Sequence, residues 1–354
     1  MTTDDTLALV TGAAGWLGRR LVDVLSNGLE SAAHPGRFAQ RPVRAFVLPG
    51  EDAEGLRRLS PRVEVVVGDL TNPADCARFV RGAHGATVFH CAGIIHPRRV
   101  RQFFEVNVSC TQNVLSAAAS AGLRRAVVVS SNSPIGANPS SGHRFDEESP
   151  YHPYLAYGRS KMEMELAVRE FQKQGLIETV LIRPPWYYGP YQPPRQTLFF
   201  EMIRDGKGPV VGGGENRRSM AYIDNLCQGL WLAGDVDRAS GELYWIADER
   251  PYTMNEILDT VERLLEDEFS IPCKHRRLRL PGIASSVAFL VDGSLQRVGL
   301  YQQKIHVLSE MNKTIACNID KAKRELGYVP EVALEEGMRR SIRWCIEQGL
   351  LGRA

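Results

Sequence analysis

Apolar residues in the first half of the chain fall into short unbroken runs, separated by longer stretches in which they recur at helical spacing. The runs Leu7 to Thr11, Val43 to Leu48, Val63 to Val67, Ala86 to His90, Ala126 to Ser130 and Thr179 to Ile182 read as buried strands. Helical patterns occupy Trp16 to Ser26, Ala74 to Arg81, Val106 to Ala121 and Ala156 to Gln174. Unbroken apolar strands alternating with helices predict an α/β fold with a doubly wound parallel (Rossmann) sheet, covered on both faces and joined by right-handed crossovers.

After Arg183 the pattern breaks, because RPPWYYGPYQPPRQ packs five prolines and four aromatics into a stretch unsuited to a regular helix or a central strand. Ala221 to Ala233 reads as a helix and Leu243 to Ile246 as a strand returning to the sheet. From Tyr252 helical patterns dominate, ending in an amphipathic helix over Leu334 to Gln348. The expected division is a dinucleotide-binding domain over 1–183, with 221–247 returning to it. A smaller, mostly helical C-terminal substrate lobe is built from 184–220 and 248–354.

A length of 354 residues with 44% apolar and 24% charged residues suits a folded globular chain. The net charge of +2 gives no electrostatic footprint for nucleic acid. Basic clusters at Arg98, Arg99 and Arg101 and at Lys274, His275, Arg276 and Arg277 read as solvated faces, the second also as a candidate anion site. Seven scattered cysteines without Cys-x-x-Cys spacing suggest neither zinc ligation nor a disulfide framework, and no metal is expected. The acidic start, MTTDD, lacks the basic flank of a signal peptide, so a cytoplasmic location is expected. The apolar stretch Ile283 to Val291 is far shorter than the ~20 residues of a membrane-spanning helix. No integral membrane segment is expected, only a surface that touches something greasy.

Directly after the first strand, TGAAGWLG places Gly12, Gly15 and Gly18 ahead of a helix, with Trp16 and Leu17 between the last two. These glycines permit a tight turn, close approach to a pyrophosphate and close helix packing, and the helix N-terminus favours phosphate. Asp69 and Leu70 end the third strand where a carboxylate can accept from an adenine amino group and an apolar side chain can pack on its ring. Cys91, Ala92 and Gly93 end the fourth with the small residues that close passage of a cofactor requires. The second strand carries no ribose-reading acid at its end, where Leu48 and Pro49 stand instead. Glu51 and Asp52 are the candidate replacements, and Arg37, Arg41 and Arg57 the candidates for a 2′-phosphate. NAD is preferred to NADP, because no arginine or lysine directly follows the strand.

Tyr157 and Lys161 lie four apart, on one face of a helix. An ammonium beside a phenol lowers its pKa from the free value of ~10, which suits proton exchange with a substrate oxygen. The same lysine can hold the nicotinamide ribose. Ser131, after the fifth strand, offers a hydroxyl to polarise that oxygen.

Taken together, TGAAGWLG, GDL, HCAG, EVNVSCTQNVL, SSNSPIG, YGRSK and LIRPPWYYGP resemble the extended short-chain dehydrogenase/reductase family in order and spacing, over roughly residues 5 to 235. IDKAKRELGYVP resembles its C-terminal portion. The resemblance implies that Ser131, Tyr157 and Lys161 are catalytic, with Ser130 and Ser133 as alternatives for the serine. It places Asn107, Ser130, Pro184 and Trp186 among the cofactor contacts and Ser133 and Tyr187 near the substrate, and it implies a homodimer formed through the helices at about 106–121 and 156–174.

Asn132 and Ser133 stand where the family's 4,6-dehydratases carry an acidic pair, which ranks dehydration low. GGGENRRSMAYIDNL resembles the family's nucleotide-side segment, with Arg217 and Arg218 able to pair with a diphosphate. HVLSEMNKTIACNID, the apolar IASSVAFLV and Trp186, Tyr187, Tyr188 and Tyr191 look more like the 3β-hydroxysteroid dehydrogenase and ketoreductase branch. The first expectation is hydride transfer between nicotinamide and a bulky secondary alcohol or ketone. A nucleotide-sugar epimerase comes second and a non-catalytic dinucleotide sensor third.

Overall fold

A computed structural model describes residues 6–352. Asp4 and Asp5, which carry much of the expectation about compartment, lie outside the described residues. Seven parallel strands form the central sheet: β1 (Ala8–Thr11), β2 (Val43–Val47), β3 (Val63–Val67), β4 (Thr87–His90), β5 (Arg125–Val129), β6 (Glu178–Arg183) and β7 (Leu243–Trp245). Their order is β7-β6-β5-β4-β1-β2-β3. The chain changes direction of winding between β1 and β4, so a crevice opens at the carboxyl ends of those strands.

Side-chain alternation sorts the strands' apolar residues into two cores. Leu9, Val88, Ala126, Val128 and Leu181 join Phe79, Leu115 and Met164 on one face of the sheet. Val10, Ala45, Phe89, Val127 and Ile182 join Leu21, Leu25, Leu230 and Trp231 on the other. Covering both faces is what makes the strands read as unbroken apolar runs.

Three local expectations change. Met220–Tyr222 is a strand paired in parallel with Trp186–Tyr188, and the helix begins only at Ile223, because pairing satisfies the backbone of a segment too apolar to distinguish from a helix start. The helix expected over 106–121 runs as Arg101–Phe104, a wide π turn over Glu105–Ser109, and Cys110–Ser120. The lobe also holds more β-structure than expected: Gly208–Val211 pairs with Arg277–Leu280, and Arg217–Arg218 with Tyr252–Thr253.

Two lobe helices, Ile283–Arg297 and Gln303–Glu310, are joined by a buried ion pair between Asp292 Oδ2 and His306 Nδ1 at 2.7 Å. Burial alone would lower the His306 pKa, but the bonded Asp292 and the nearby Glu310 outweigh it and raise the value. A raised folded pKa means this stabilisation is complete below the unfolded value of ~6.5 and is lost as pH rises through the folded one. The stability difference between wild type and His306→Gln is therefore expected to be greatest on the acid side and to shrink towards alkaline pH. Melting temperatures of both proteins across that range check it; a constant difference would show that the histidine is not charged.

Candidate active site

Gly12 adopts φ +64°, and a Cβ there would sit 2.8 Å from the Ala92 backbone. A Cβ on Gly18 would lie 2.1 Å from the Gly12 carbonyl oxygen. These contacts fix the turn between β1 and the helix Trp16–Asn27, which Gly15 caps without a side-chain bond. Leu17 is buried beneath the turn. Trp16 bridges to the lobe, its Nε1 donating to the Pro190 carbonyl at 2.7 Å and its ring packing on Tyr187. A cavity of about 540 Å³ borders the turn, lined by Ala14, Gly15, Trp16, Arg19 and Tyr191. A narrow glycine cradle, a helix N-terminus and an adjoining cavity fit a dinucleotide pyrophosphate.

At the adenine end, Leu70 is buried and Asp69 is exposed, with its Oδ1 accepting from Thr71 N at 2.8 Å. At the ribose end, Glu51 accepts from Leu48 N at 2.8 Å, while Asp52 accepts from Gly55 N and pairs with Arg19 at 2.9 Å. Arg19 holds the Asp52 carboxyl below the ordinary carboxylate range. Of the arginines proposed for a 2′-phosphate, Arg41 is buried on Asp235 and Arg57 pairs with Glu54, so neither faces this end freely; Arg37 is exposed in the loop ahead of β2. Arg19 was not singled out in the sequence, and one helical arginine behind a glycine turn gives no pattern to find it by.

Where the sequence leads us to expect the nicotinamide, Asn107 lies in the π turn, whose extra residue rotates its amide inward. It accepts from Ile94 N at 2.9 Å and donates to Ile94 O and to Ser160 Oγ. Gly93 faces both Asn107 and Lys161, since a Cβ there would lie 3.2 Å from Asn107 Oδ1 and 3.4 Å from Lys161 Nζ. Cys91 and Ala92 complete that wall as half-buried residues, and His90 is fully buried between Thr11 and Thr111.

Tyr157 is half-buried and packed against Phe103 at 5.6 Å between ring centroids, with the Ser131 hydroxyl near enough to pull against the rise in its pKa. Gly158 lets this helix approach the serine loop, since a Cβ there would lie 2.5 Å from the Ser133 carbonyl oxygen. Ser131 Oγ also lies 3.2 Å from Ser133 Oγ. Lys161 is buried and donates to Val129 O at 3.0 Å; burial lowers its pKa to about 8.

One expectation about this pair is corrected. Burial raises the Tyr157 pKa above its ordinary value, where the sequence leads us to expect a lowered one. The lysine reaches instead towards β5 and Gly93. Arg195 opposes the rise, and it also acts on Tyr187 and Tyr301. Arg195 was missed in the sequence because a single arginine in a proline-rich stretch carries no spacing signal.

The remaining candidates separate. Ser130 is turned into the core, its Oγ donating to Glu165 at 2.5 Å. Pro184 is buried directly after β6, and Trp186 packs on Phe199. Arg217 is exposed, whereas its neighbour Arg218 faces the other way and donates to the Glu310 carbonyl at 2.5 Å, so the two do not form one anion clamp.

Residues 8–247 match the family described as NAD dependent epimerase/dehydratase family. An uncharacterized protein y4nL of Sinorhizobium fredii is 52% identical over 350 residues, covering 99% of this chain and 98% of that one. The 3 beta-hydroxysteroid dehydrogenase/Delta 5-->4-isomerase of Mycobacterium tuberculosis is 30% identical, covering 98% of this chain and 92% of its own. Among solved structures, the dTDP-glucose 4,6-dehydratase DesIV of Streptomyces venezuelae with NAD bound is similar with a TM-score of 0.72 and 26% identity, covering 96% of this chain and 97% of that one.

Proposed function

The chain belongs to the NAD-dependent epimerase/dehydratase family, and from that premise we propose that it is an oxidoreductase acting with NAD on a bulky, apolar secondary alcohol or ketone. The observation that carries this reading is the surroundings of the Tyr157 hydroxyl. Phe103 packs on the Tyr157 ring and Tyr301 packs on Phe103, while Ser131, Tyr187, Glu310 and Arg195 are near enough to act on the hydroxyl electrostatically. An aromatic wall favours an apolar substrate, and Asn132 and Ser133 beside Ser131 provide no carboxylate for eliminating water. The similarity to a hydroxysteroid dehydrogenase supports the same branch.

Bound as NADH, the cofactor supplies the hydride. Ser131 hydrogen-bonds the substrate carbonyl, and Tyr157 delivers the proton to its oxygen. A phenol whose pKa is raised by burial holds that proton at neutral pH, which suits it to act as the acid in ketone reduction. Lys161 and Asn107 line the nicotinamide side. Lys161 would hold the ribose hydroxyls of a bound cofactor, and Asn107 fixes the Ile94 backbone on the same wall. We place a homodimer contact on the outward faces of the helices Cys110–Ser120 and Leu155–Lys173.

The test pairs NADH oxidation by a panel of steroid-like ketones with conversion assays on UDP-glucose and UDP-galactose. Net NADH consumption with a ketone supports the oxidoreductase. Conversion of a nucleotide sugar without net consumption would replace it with the epimerase.

Preference for NAD follows from Asp52. Neutralising it in Asp52→Asn keeps the bond from Gly55 N and frees the Arg19 charge. The affinity ratio of NADPH to NADH is expected to rise severalfold, because the freed guanidinium can pair with a 2′-phosphate that Asp52 would repel. Fluorescence titration with both cofactors reads it, and an unchanged ratio would place the 2′ position elsewhere.

A further inference from the structure

The helix Ile283–Arg297 is inverted with respect to water. Its buried side carries Ser285, Ala288, Asp292 and Gln296. Those polar groups are satisfied internally: Ser285 Oγ donates to Leu308 O, Asp292 pairs with His306, and Gln296 Nε2 donates to Asp292. Its outer side carries Ile283, Val287, Leu290 and Val291, and the apolar surface continues into Val298. Ile283 is 70% exposed, and Leu290 and Val298 are each 69% exposed. A helix on the surface of a water-soluble domain shows the opposite arrangement, and apolar area of this extent marks a surface that is covered in use.

Basic residues outnumber acidic ones in the segment that carries this face, although Asp259, Glu262 and Glu266 pair with Arg277 and His275 at its start. From Lys274 to Lys313 the sequence has seven lysines and arginines and two acids, Asp292 and Glu310. Both acids lie on the His306 side. Lys274, Arg276, Arg279, Arg297 and Lys304 are exposed and form no ion pair among the described residues. Arg279 precedes the helix across Pro281 and Gly282. At its far end, Leu300 pairs with exposed Arg99.

We propose that this face rests on an anionic lipid surface, with the aliphatic side chains entering the boundary between headgroups and acyl chains and the cations pairing with phosphates. Among the described residues no helix is long and apolar enough to cross a membrane, so the contact is peripheral. A second copy of the chain fits less well, because a two-fold contact would bring two cationic rims together. Beneath the face lies a cavity of about 660 Å³, lined by Phe289, Leu290 and Arg297 on one side and by Tyr154, Leu155 and Ala156 on the other. The cavity thus reaches the residues that directly precede Tyr157. The proposal does not depend on the identity of the substrate.

The experiment is co-sedimentation of the full chain with vesicles of phosphatidylcholine alone and with vesicles containing a quarter phosphatidylglycerol, at low and high salt. Pelleting is expected with the anionic vesicles and is expected to weaken as salt screens the cations. Val287→Ser combined with Leu290→Ser should reduce vesicle affinity by about tenfold or more. Arg276→Gln combined with Arg279→Gln should remove most of the preference for anionic lipid. Both pairs are at exposed positions, and unchanged melting temperatures verify their folding. Wild-type protein that stays in the supernatant with both vesicle types overturns the proposal. So does a dimer that Val287→Ser with Leu290→Ser dissociates in the absence of vesicle binding, which would assign the face to a second copy.

Discussion

Tyr157→Phe is expected to bind NADH about as tightly as the parent protein and to turn over a hundred to ten thousand times more slowly, the range in which a positioned acid contributes, or roughly 3–5 kcal/mol of transition-state stabilisation. The phenylalanine ring keeps its packing on Phe103. Only the hydroxyl near Ser131 is lost, and Ser131 retains Ser133 and Asn132 as partners. Steady-state kcat with an accepted ketone, together with cofactor titration by fluorescence, separates the two effects. Activity near that of the parent would remove Tyr157 from the chemistry. Loss of NADH binding along with turnover would make the hydroxyl a cofactor ligand.

The largest expected loss of stability comes from Glu165→Ala. The Glu165 carboxylate is buried and accepts from four donors: Arg183 Nε at 2.9 Å, Arg183 Nη2 at 2.6 Å, Ser130 Oγ at 2.5 Å and Tyr151 Oη at 2.8 Å. Arg183 is almost fully buried, and its Nη1 has no hydrogen-bond partner, so alanine would leave a charged guanidinium in the core with only the Tyr151 and Trp245 rings to offset it. Breaking a buried ion pair from one side costs about 3–5 kcal/mol, whereas replacing both members with apolar residues costs far less. Urea unfolding of Glu165→Ala and of Glu165→Leu with Arg183→Met reads both. A single-variant loss under about 1 kcal/mol would mean that water reaches the pair and relieves it.

Most of the sheet was legible because its strands are buried on both faces and their apolar runs are bounded by glycine, proline or charge. β2, for example, ends at Val47 directly before Leu48 and Pro49. Long-range pairing was not legible. Met220–Tyr222 is a strand only because Trp186–Tyr188 lies beside it, and nothing within its own three residues distinguishes it from the start of the next helix. The π turn at Asn107 escaped notice for a different reason: one inserted residue barely disturbs helical periodicity, though it decides which way that amide points. In the site, residue type and order located Ser131, Tyr157 and Lys161, but not where the lysine ammonium would go. Two residues four apart share a helix face, yet their tips diverge when one side chain is long enough to reach the Val129 carbonyl. Arg19 and Arg195 were invisible because each matters through a partner that is close only in the folded chain.

Gln296 has a consequence beyond helix packing. Its Oε1 accepts from the backbone N–H of Ala156 at 3.0 Å, and Ala156 directly precedes Tyr157. Leu155, just before it, holds a left-handed φ of 53°, so this turn depends on its surroundings to stay in place. One amide proton therefore records whether the lobe is docked. Its hydrogen exchange should be slow while Gln296 is seated and should accelerate whenever the helix Ile283–Arg297 lifts away. A single-residue clock of this kind would time the lobe's opening without any substrate present.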